Sequence, residues 1–556
     1  MTKQKRLITS ALPYVNNLPH LGNVIGAVLS GDVFNRYSKM RGYQTTYICG
    51  TDEYGTASEV AADKEQISPG DLCARNSAEH KRVYDWFQIE FDSFGRTSMD
   101  NHKELTQRIF KENWENGNFV ERTEQRFFCL QCDMFLADRY VNGSCKLCGG
   151  DQARGDQCDD CGSILQPSDI LSPVCSTCKQ APELRDTVHL FFILDKFKEK
   201  VGLKIEEASP QWTSAARQIA MDWKGKDLQE RCITRDLKYQ WGVPVPLPEY
   251  KGKVLYVWFD APIGYITFTE AIGRLDWWTD KNVDLYEFMG KDNVFFHSVF
   301  FPAILMGTKS EYNFPKVISS THYLMYEKGK FSKSQGRGIF GKDLLEDRMG
   351  CAGAWRFHLL RTRPETSDSN FSWREFHESY HTMLINTIGN LCNRVLSFIT
   401  KQANGCIVAT SLPEAEKETL NQLLSEYNEC MERTEIRPAV AKVIEMAVVG
   451  NKYVQEAFDR KLAKEEKIKQ IAPAANIVLL LSRVLMPIIP VEAKRLQDML
   501  AINEEPTIPD CFQEDLPQGH RINQPSVLFT PLTAEQVAAV AQICPGECPF
   551  TLPHKQ

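Results

Sequence analysis

Eight of the chain's 18 cysteines fall into four C-x-x-C pairs, Cys129/Cys132, Cys145/Cys148, Cys158/Cys161 and Cys175/Cys178. No other feature limits the fold as tightly. Close thiol pairs suit a tetrahedral metal better than disulfides, and eight thiolates are enough for two Cys₄ zinc sites. Spacing leaves the pairing open. The inner four could form one knuckle and the outer four another, or neighbouring pairs could close in sequence. The segment around them, residues 120–180, is short, rich in Gly, Asp and Cys, and has little periodicity. It reads as an insertion into a larger fold.

The sequence on either side is that larger fold. Arg6 to Ser10 is a short extended run, ALPYVNNLP is a turn, and Leu21, Val24, Ile25, Val28 and Leu29 recur at helical spacing up to about Met40. Gly42 terminates the helix and Tyr43 to Cys49 returns as a strand. This is a βαβ unit, the opening of a nucleotide-binding sheet. Beyond the cysteines the sheet pattern resumes at LYVWFDA (255–261) and LYEFMG (285–290), then an apolar helix from about Asn293 to Met306, then VISS (317–320). From about Phe371 the chain turns helical, as around Leu384–Thr400, Thr419–Cys430 and Ala474–Leu500, and a Pro-rich tail from about Glu505 ends in an apolar run, PSVLFTPL, suited to packing back on the body.

At 556 residues the chain needs three or four packed units. With 43% hydrophobic and 25% charged residues it has the composition of a folded soluble protein. No apolar run approaches the roughly 18 residues of a membrane span, and MTKQKRLITS lacks a secretory signal, so a cytoplasmic protein without a membrane partner is expected. A net charge of −7 says little against a nucleic-acid partner, because phosphate contact needs only a local basic cluster.

Two constellations can handle phosphate. PHLGN (19–23) sits where a strand ends and a helix begins, so free backbone N–H groups and the helix dipole can hold an anion. There His20 can donate a hydrogen bond and Gly22 lets a base approach the backbone. KFSKS (330–334), in a Gly-flanked loop, offers Lys330, Ser332, Lys333 and Ser334 to wrap a triphosphate, with Lys333 neutralising charge as pyrophosphate leaves. Together, in this order, the two resemble the paired motif of class I aminoacyl-tRNA synthetases, with Asn23 in place of the last His and Phe331 in place of Met.

Within that class the chain resembles methionyl-tRNA synthetases of the eukaryotic and archaeal cytosolic type over nearly its whole length. The matching runs are TSALPYVNNLPHLGN (9–23), CGTDEYGT (49–56), FGRT (94–97), CITRDL (232–237), YVWFDAPIGY (256–265), KDNVFFHS (291–298) and LPQGHR (516–521). The resemblance implies an α/β fold, a Rossmann-type parallel-sheet catalytic domain split by a zinc-binding insertion and followed by an α-helical anticodon-binding bundle. The implied boundaries are 1–117 and 231–320 for the catalytic halves, 118–230 for the insertion, 321–375 for the KFSKS loop and stem-contact region, 376–503 for the bundle and 504–556 for the tail.

It implies a methionine pocket of Leu12, Tyr14, Asp52, Trp258, Ala261, Pro262, Tyr265 and His297, with Asp52 on the α-ammonium. ATP would meet His20, Gly22, Asn23, Gly290, Asp292, Lys330, Ser332, Lys333 and Ser334, with Asp292 on the ribose and His20 and Lys333 catalytic. Methionine, ATP, Mg²⁺, one or two structural zinc ions and tRNA(Met) are the implied substrates and cofactors. Asn390 and Arg394, one helical turn apart, match anticodon-contacting positions. The family's stacking Trp is replaced near Asp459-Arg460, leaving Phe458 or Arg460 to cover a base face. The short insertion leaves no room for an editing domain. Nothing in the sequence speaks to partners in a multi-synthetase complex. Two competing readings are a nucleotidyltransferase that uses no tRNA and a catalytically silent tRNA-binding protein.

Overall fold

The computed structural model describes residues 4–155, 158–161, 163, 165–329, 331, 338–344, 351–408, 411–533 and 535–536. Five parallel strands make the central sheet: β1 (Lys5–Ser10), β2 (Gln44–Thr51), β3 (Ser93–Arg96), β4 (Val283–Gly290) and β5 (Val317–Thr321). Their spatial order is β5-β4-β1-β2-β3. The order reverses between β1 and β4, and in open parallel sheets the crevice beyond the strand ends at such a switch point is where ligands bind. Both faces are covered, which explains the continuous apolar runs. On β1, Leu7 packs with the helices Asp100–Glu115 and Ile263–Glu270, while Ile8 packs with the helix of residues 21–40. That helix contains a π turn, Val24–Val28, immediately after the PHLGN turn.

The insertion is built on a long antiparallel ribbon, Phe119–Cys129 against Glu183–Phe192, with Met134–Phe135 and Arg231–Cys232 at its edges. A second ribbon pairs Val141–Cys145 with Ile170–Cys175. Its apolar cluster is small and includes four cysteines, Cys129, Cys145, Cys158 and Cys175, beside residues such as Phe127, Leu136, Tyr140 and Ile170.

Two expectations need correcting. LYVWFDA does not continue the sheet: only Val254–Leu255 is strand, paired with Thr234–Arg235, and Val257–Asp260 is a helical turn. An apolar run of this length does not distinguish a strand from a buried helical turn. The stretch Ala474–Leu500 is two helices, Ala474–Leu485 and Pro490–Met499, because Pro487 and Pro490 each lack the N–H that a continuous helix requires.

The bundle centres on Glu414–Glu432, Ile436–Asp459 and Ala474–Leu485. The stretch Lys464–Leu485 is apolar and long enough to cross a membrane, yet 78% of its window is buried inside the molecule, as befits a core helix. The tail runs back along the body. Ile508 N–H donates to Met40 O at 3.2 Å, Asn428 donates to Pro509 O at 3.1 Å, and Leu516, Leu528 and Phe529 are buried.

Candidate active site

The ends of β1, β2 and β4 open into a cavity of about 420 Å³. Past β1 the chain is zipped to the end of β2, with Asp52 N–H donating to Pro13 O at 3.0 Å and Val15 N–H to Asp52 O at 3.3 Å. This holds Leu12 and Tyr14 on one wall with Asp52 beside them. The helical turn Val257–Asp260 and the residues after it supply Trp258, Ala261, Pro262 and Tyr265. The π turn Phe296–Phe300 supplies His297. Every residue that the resemblance assigned to methionine lines this one cavity, together with His20 and Asn23.

The polar groups in the apolar wall are satisfied by one another. Asn293 O lies 2.9 Å from His297 Nδ1, and Tyr265 Oη lies 3.0 Å from His297 Nε2. The carbonyl can only accept, so Nδ1 carries the proton and Nε2 accepts from the Tyr265 hydroxyl. Burial holds His297 down to about 4, so the ring is neutral. Trp258 is stacked on Phe296 with ring centroids 3.7 Å apart, and Tyr14 meets its edge at 6.0 Å. The result is a thin aromatic slot with almost no free hydrogen-bonding capacity.

Asp52 is the exception. It is 3% exposed, its Oδ1 has no hydrogen-bond partner among the described residues, and burial, with Asp260 and Glu53 nearby, pushes its carboxyl well above the usual range. A buried carboxyl without a partner is costly, and a cationic ligand would relieve that cost.

His20 caps the helix of residues 21–40. Gly22 N–H donates to its Nδ1 at 3.1 Å, and its own N–H donates to Asn23 Oδ1 at 3.1 Å. With Nδ1 accepting, the ring's proton is on Nε2, and burial holds the imidazole down to about 4. His20 therefore offers a neutral N–H donor. A Cβ at Gly22 would lie 2.9 Å from His20 Cε1, so the glycine makes room for this ring. Phe331 stacks flat on the imidazole, centroids 4.5 Å apart at 7°, and Phe340 meets its edge at 6.1 Å. Lys330, Ser332, Lys333 and Ser334 lie outside the described residues.

Asp292 lies on a wider crevice of about 1820 Å³ that adjoins the cavity through Tyr14, Trp258 and Asn293. Both its oxygens accept from the Tyr323 hydroxyl at 2.7 Å. At Gly290, a Cβ would meet nothing within 4 Å, so the end of β4 is open. Asn293, Phe296 and Phe340 were not anticipated as site residues, and the stacking of Phe331 on His20 was not either. The i to i+4 spacing of Asn293 and His297 on a helix could have revealed the first, whereas the aromatic contacts cross the fold and leave no local pattern.

The cysteines form two groups, Cys129/Cys132/Cys175/Cys178 and Cys145/Cys148/Cys158/Cys161, the sulfurs of each within 4.8 Å of one another. Of the two pairings that spacing allowed, this is the nested one. Cys129 and Cys178 sulfurs are 3.4 Å apart, Cys132 and Cys175 3.9 Å, and Cys148 and Cys158 3.7 Å. Zinc–sulfur bonds of about 2.3 Å in a tetrahedron require S···S edges of about 3.8 Å. Both groups fit that metal.

Asn390 and Arg394 open the helix Asn390–Ala403, in the bundle. Asn390 is exposed. Arg394 donates to Gln455 at 2.8 Å and its guanidinium lies 5.0 Å from the Phe458 ring centre, while Phe398 meets that ring edge-on. Arg460 is exposed at the end of the preceding helix.

Known proteins agree with this architecture. The family model described as "tRNA synthetases class I (M)" matches residues 6–396, and "Anticodon binding domain of methionyl tRNA ligase" matches 408–547. A probable cytoplasmic methionine–tRNA ligase of Encephalitozoon cuniculi is 43% identical over 540 residues, covering 96% of this chain and 97% of the relative. The cytoplasmic methionine–tRNA ligase of Arabidopsis thaliana is 43% identical over 96% of this chain and 70% of its own. Mycobacterium tuberculosis methionyl-tRNA synthetase, solved with methionyl-adenylate, shares the fold with a TM-score of 0.74 over 95% of this chain and 99% of that one, at 22% identity. With an α/β sheet split by a cysteine-rich insertion, a helical bundle behind it and relatives of this closeness, the chain belongs to the class I methionyl-tRNA synthetase family.

Proposed function

We propose that the chain is a cytoplasmic methionine–tRNA ligase that joins L-methionine to ATP as methionyl-adenylate and then loads tRNA(Met). One observation carries this reading. A buried carboxyl with one oxygen left without a partner among the described residues, Asp52, and a slot of Trp258, Tyr265 and His297 share a cavity with His20 at a helix tip. An unbranched thioether fits a slot that offers almost no hydrogen bonds, and Asp52 takes the α-ammonium. The methionine carboxylate, already ionised near neutral pH, then attacks the α-phosphorus of ATP, and pyrophosphate leaves. No general base is required. Alignment and charge neutralisation carry the rate: His20 donates from Nε2, the helix terminus adds its dipole, and Lys333 supplies the cation. Asp292 holds the ribose. Mg²⁺ enters on the triphosphate, since among the described residues only the cysteine groups cluster as metal ligands.

The cysteine groups hold two structural zinc ions, which pin the insertion over the crevice. Arg126, Arg139, Arg154, Arg231 and Arg235 line that crevice and receive the acceptor end of the tRNA. Asn390 and Arg394 read the anticodon. Phe458 already packs against Arg394 and Phe398, so the two side chains present one surface to a base.

Methionine-dependent exchange of pyrophosphate into ATP tests the reading. Exchange is expected with methionine and not with leucine or isoleucine. Lys333→Ala should lose it by orders of magnitude with a modest change in methionine affinity. No exchange with any amino acid, or full exchange in that variant, overturns the assignment.

A further inference from the structure

Two buried carboxyl groups lie close enough to interact, Asp52 in the cavity wall and Asp260 outside its lining, with no cation beside them among the described residues. Asp52 is 3% exposed and Asp260 0%, and Oδ1 of each has no hydrogen-bond partner among the described residues. Asp260 closes the turn Val257–Asp260, directly before Ala261 and Pro262 of the pocket wall. Its Oδ2 lies 3.3 Å from Nε2 of the fully buried His102, whose Nδ1 lies 3.3 Å from Thr267 Oγ1.

Among the described residues, the titratable groups around this pair supply no free positive charge, and His20 and His80 on the same cavity wall are each held down to about 4 by burial. Glu53, next to Asp52, is already held by Arg96 through two bonds of 2.7 and 3.0 Å. Tyr54, Cys73 and Tyr265 are pushed up by burial and stay uncharged. His102 is held down to about 3 and His297 to about 4, so both rings are neutral at physiological pH. Two carboxylates cannot both ionise in such surroundings. One cation is missing, and the α-ammonium of methionine is one cation.

We propose that Asp260 is a positioning residue that acts on Asp52, the two forming a single proton-holding unit which releases a proton when the methionine ammonium enters. This rests on Asp52 being the ammonium site. In the step, the O–H bond of the Asp52 acid breaks and its proton passes to solvent. The carboxylate left behind accepts a hydrogen bond from the ammonium, which keeps all three of its own protons. Amino-acid binding thereby becomes a proton-linked event, and Asp260 sets the pH range over which the linkage acts.

Calorimetric titration of methionine into the full chain, in phosphate and in ACES across about pH 6 to 7.5, measures the released proton through the buffer's ionisation heat. The expected enthalpies differ between buffers, approaching about one proton per methionine at the acid end and fading as pH rises. Methionine affinity should increase over the same range, by up to about tenfold per pH unit. In Asp260→Asn the like charge is gone, so the window should move to lower pH and fewer protons should appear where the wild type releases most. Identical enthalpies in the two buffers for the wild type overturn the proposal, as does an Asp260→Asn curve that superimposes on the wild type. If the variant does not fold, the wild-type comparison alone decides. Pyrophosphate exchange without proton release removes this inference and leaves the ligase reading standing, whereas no methionine binding at all removes both.

Discussion

His358 shows how a single buried group ties this enzyme's stability to pH. It is 0% exposed, walled by Phe371 and Phe376, with Nδ1 on Ser379 at 2.9 Å and no partner on Nε2 among the described residues. Burial, and then the charge on Arg361, hold its imidazole down to about 3. In the unfolded chain it titrates near 6.5. Above that value both states are neutral and the group has no effect. As pH falls through 6.5 the unfolded chain gains a proton that the folded one refuses, so stability is lost progressively down to the folded value. His358→Phe should keep the aromatic contacts and remove this term. Between about pH 7 and 5 the variant should lose roughly 2 kcal/mol less stability than the wild type in parallel denaturant titrations. Parallel pH curves for the two proteins would contradict the burial argument. His20 and His297 obey the same logic with a functional consequence, since both rings stay neutral donors or acceptors across the working pH range.

Between elements, one of the closest approaches is made at two glycines. Gly50 on β2 and Gly95 on β3 are register partners, and the ring of Phe268, from the helix Ile263–Glu270, lies in the trench they leave. A Cβ at Gly95 would stand 2.0 Å from Phe268 Cδ1, and one at Gly50 2.3 Å from Cε2. That helix follows Ala261 and Pro262 and carries Tyr265, so the trench sets the depth of the cavity proposed for methionine. Gly95→Ala should cost about 1–3 kcal/mol and raise the KM for methionine, and adding Phe268→Leu should restore part of the stability. A fully stable Gly95→Ala would refute the close packing. In the proposed reading the insertion depends on metal where this helix depends on packing. Metal analysis should find two zinc ions per chain, falling to one in Cys145→Ser and to one in Cys129→Ser, with aminoacylation damaged more than pyrophosphate exchange. Zinc-free protein purified without chelator would discard both sites.

Across the whole molecule, two arginines fasten the sheet to the bundle. Arg356, 0% exposed, donates to Asp32 at 2.8 Å on the helix of residues 21–40, to Phe87 O at 2.7 Å, and to Pro487 O at 2.8 Å and Ile488 O at 2.7 Å in the bundle. Arg363, also 0% exposed, reaches Ser30 at 2.9 Å, Ser319 on β5 at 3.0 Å and Glu365 at 2.8 Å. The helix that begins at His20 is thus anchored to the domain that carries Asn390 and Arg394. Arg356→Met would strand three buried carbonyls and should cost about 3–5 kcal/mol. Thermal unfolding should then separate into two transitions as the halves uncouple. A single transition at the wild-type midpoint would show that the junction is held by apolar packing alone.

Much of this was readable residue by residue. The β1–helix–β2 opening follows from apolar periodicity, the gathering of the insertion's cysteines from four thiol pairs, and the cavity's lining from motifs that keep their spacing. Those features are local, and local spacing is written in the chain. The nested pairing of the cysteines, the long ribbon that carries them, the helical turn at Val257–Asp260 and the Phe268 trench depend on which distant segments meet. So do the orphaned oxygens of Asp52 and Asp260, because a carboxyl's neighbours, and therefore its charge, exist only once the strands and helices have closed around it.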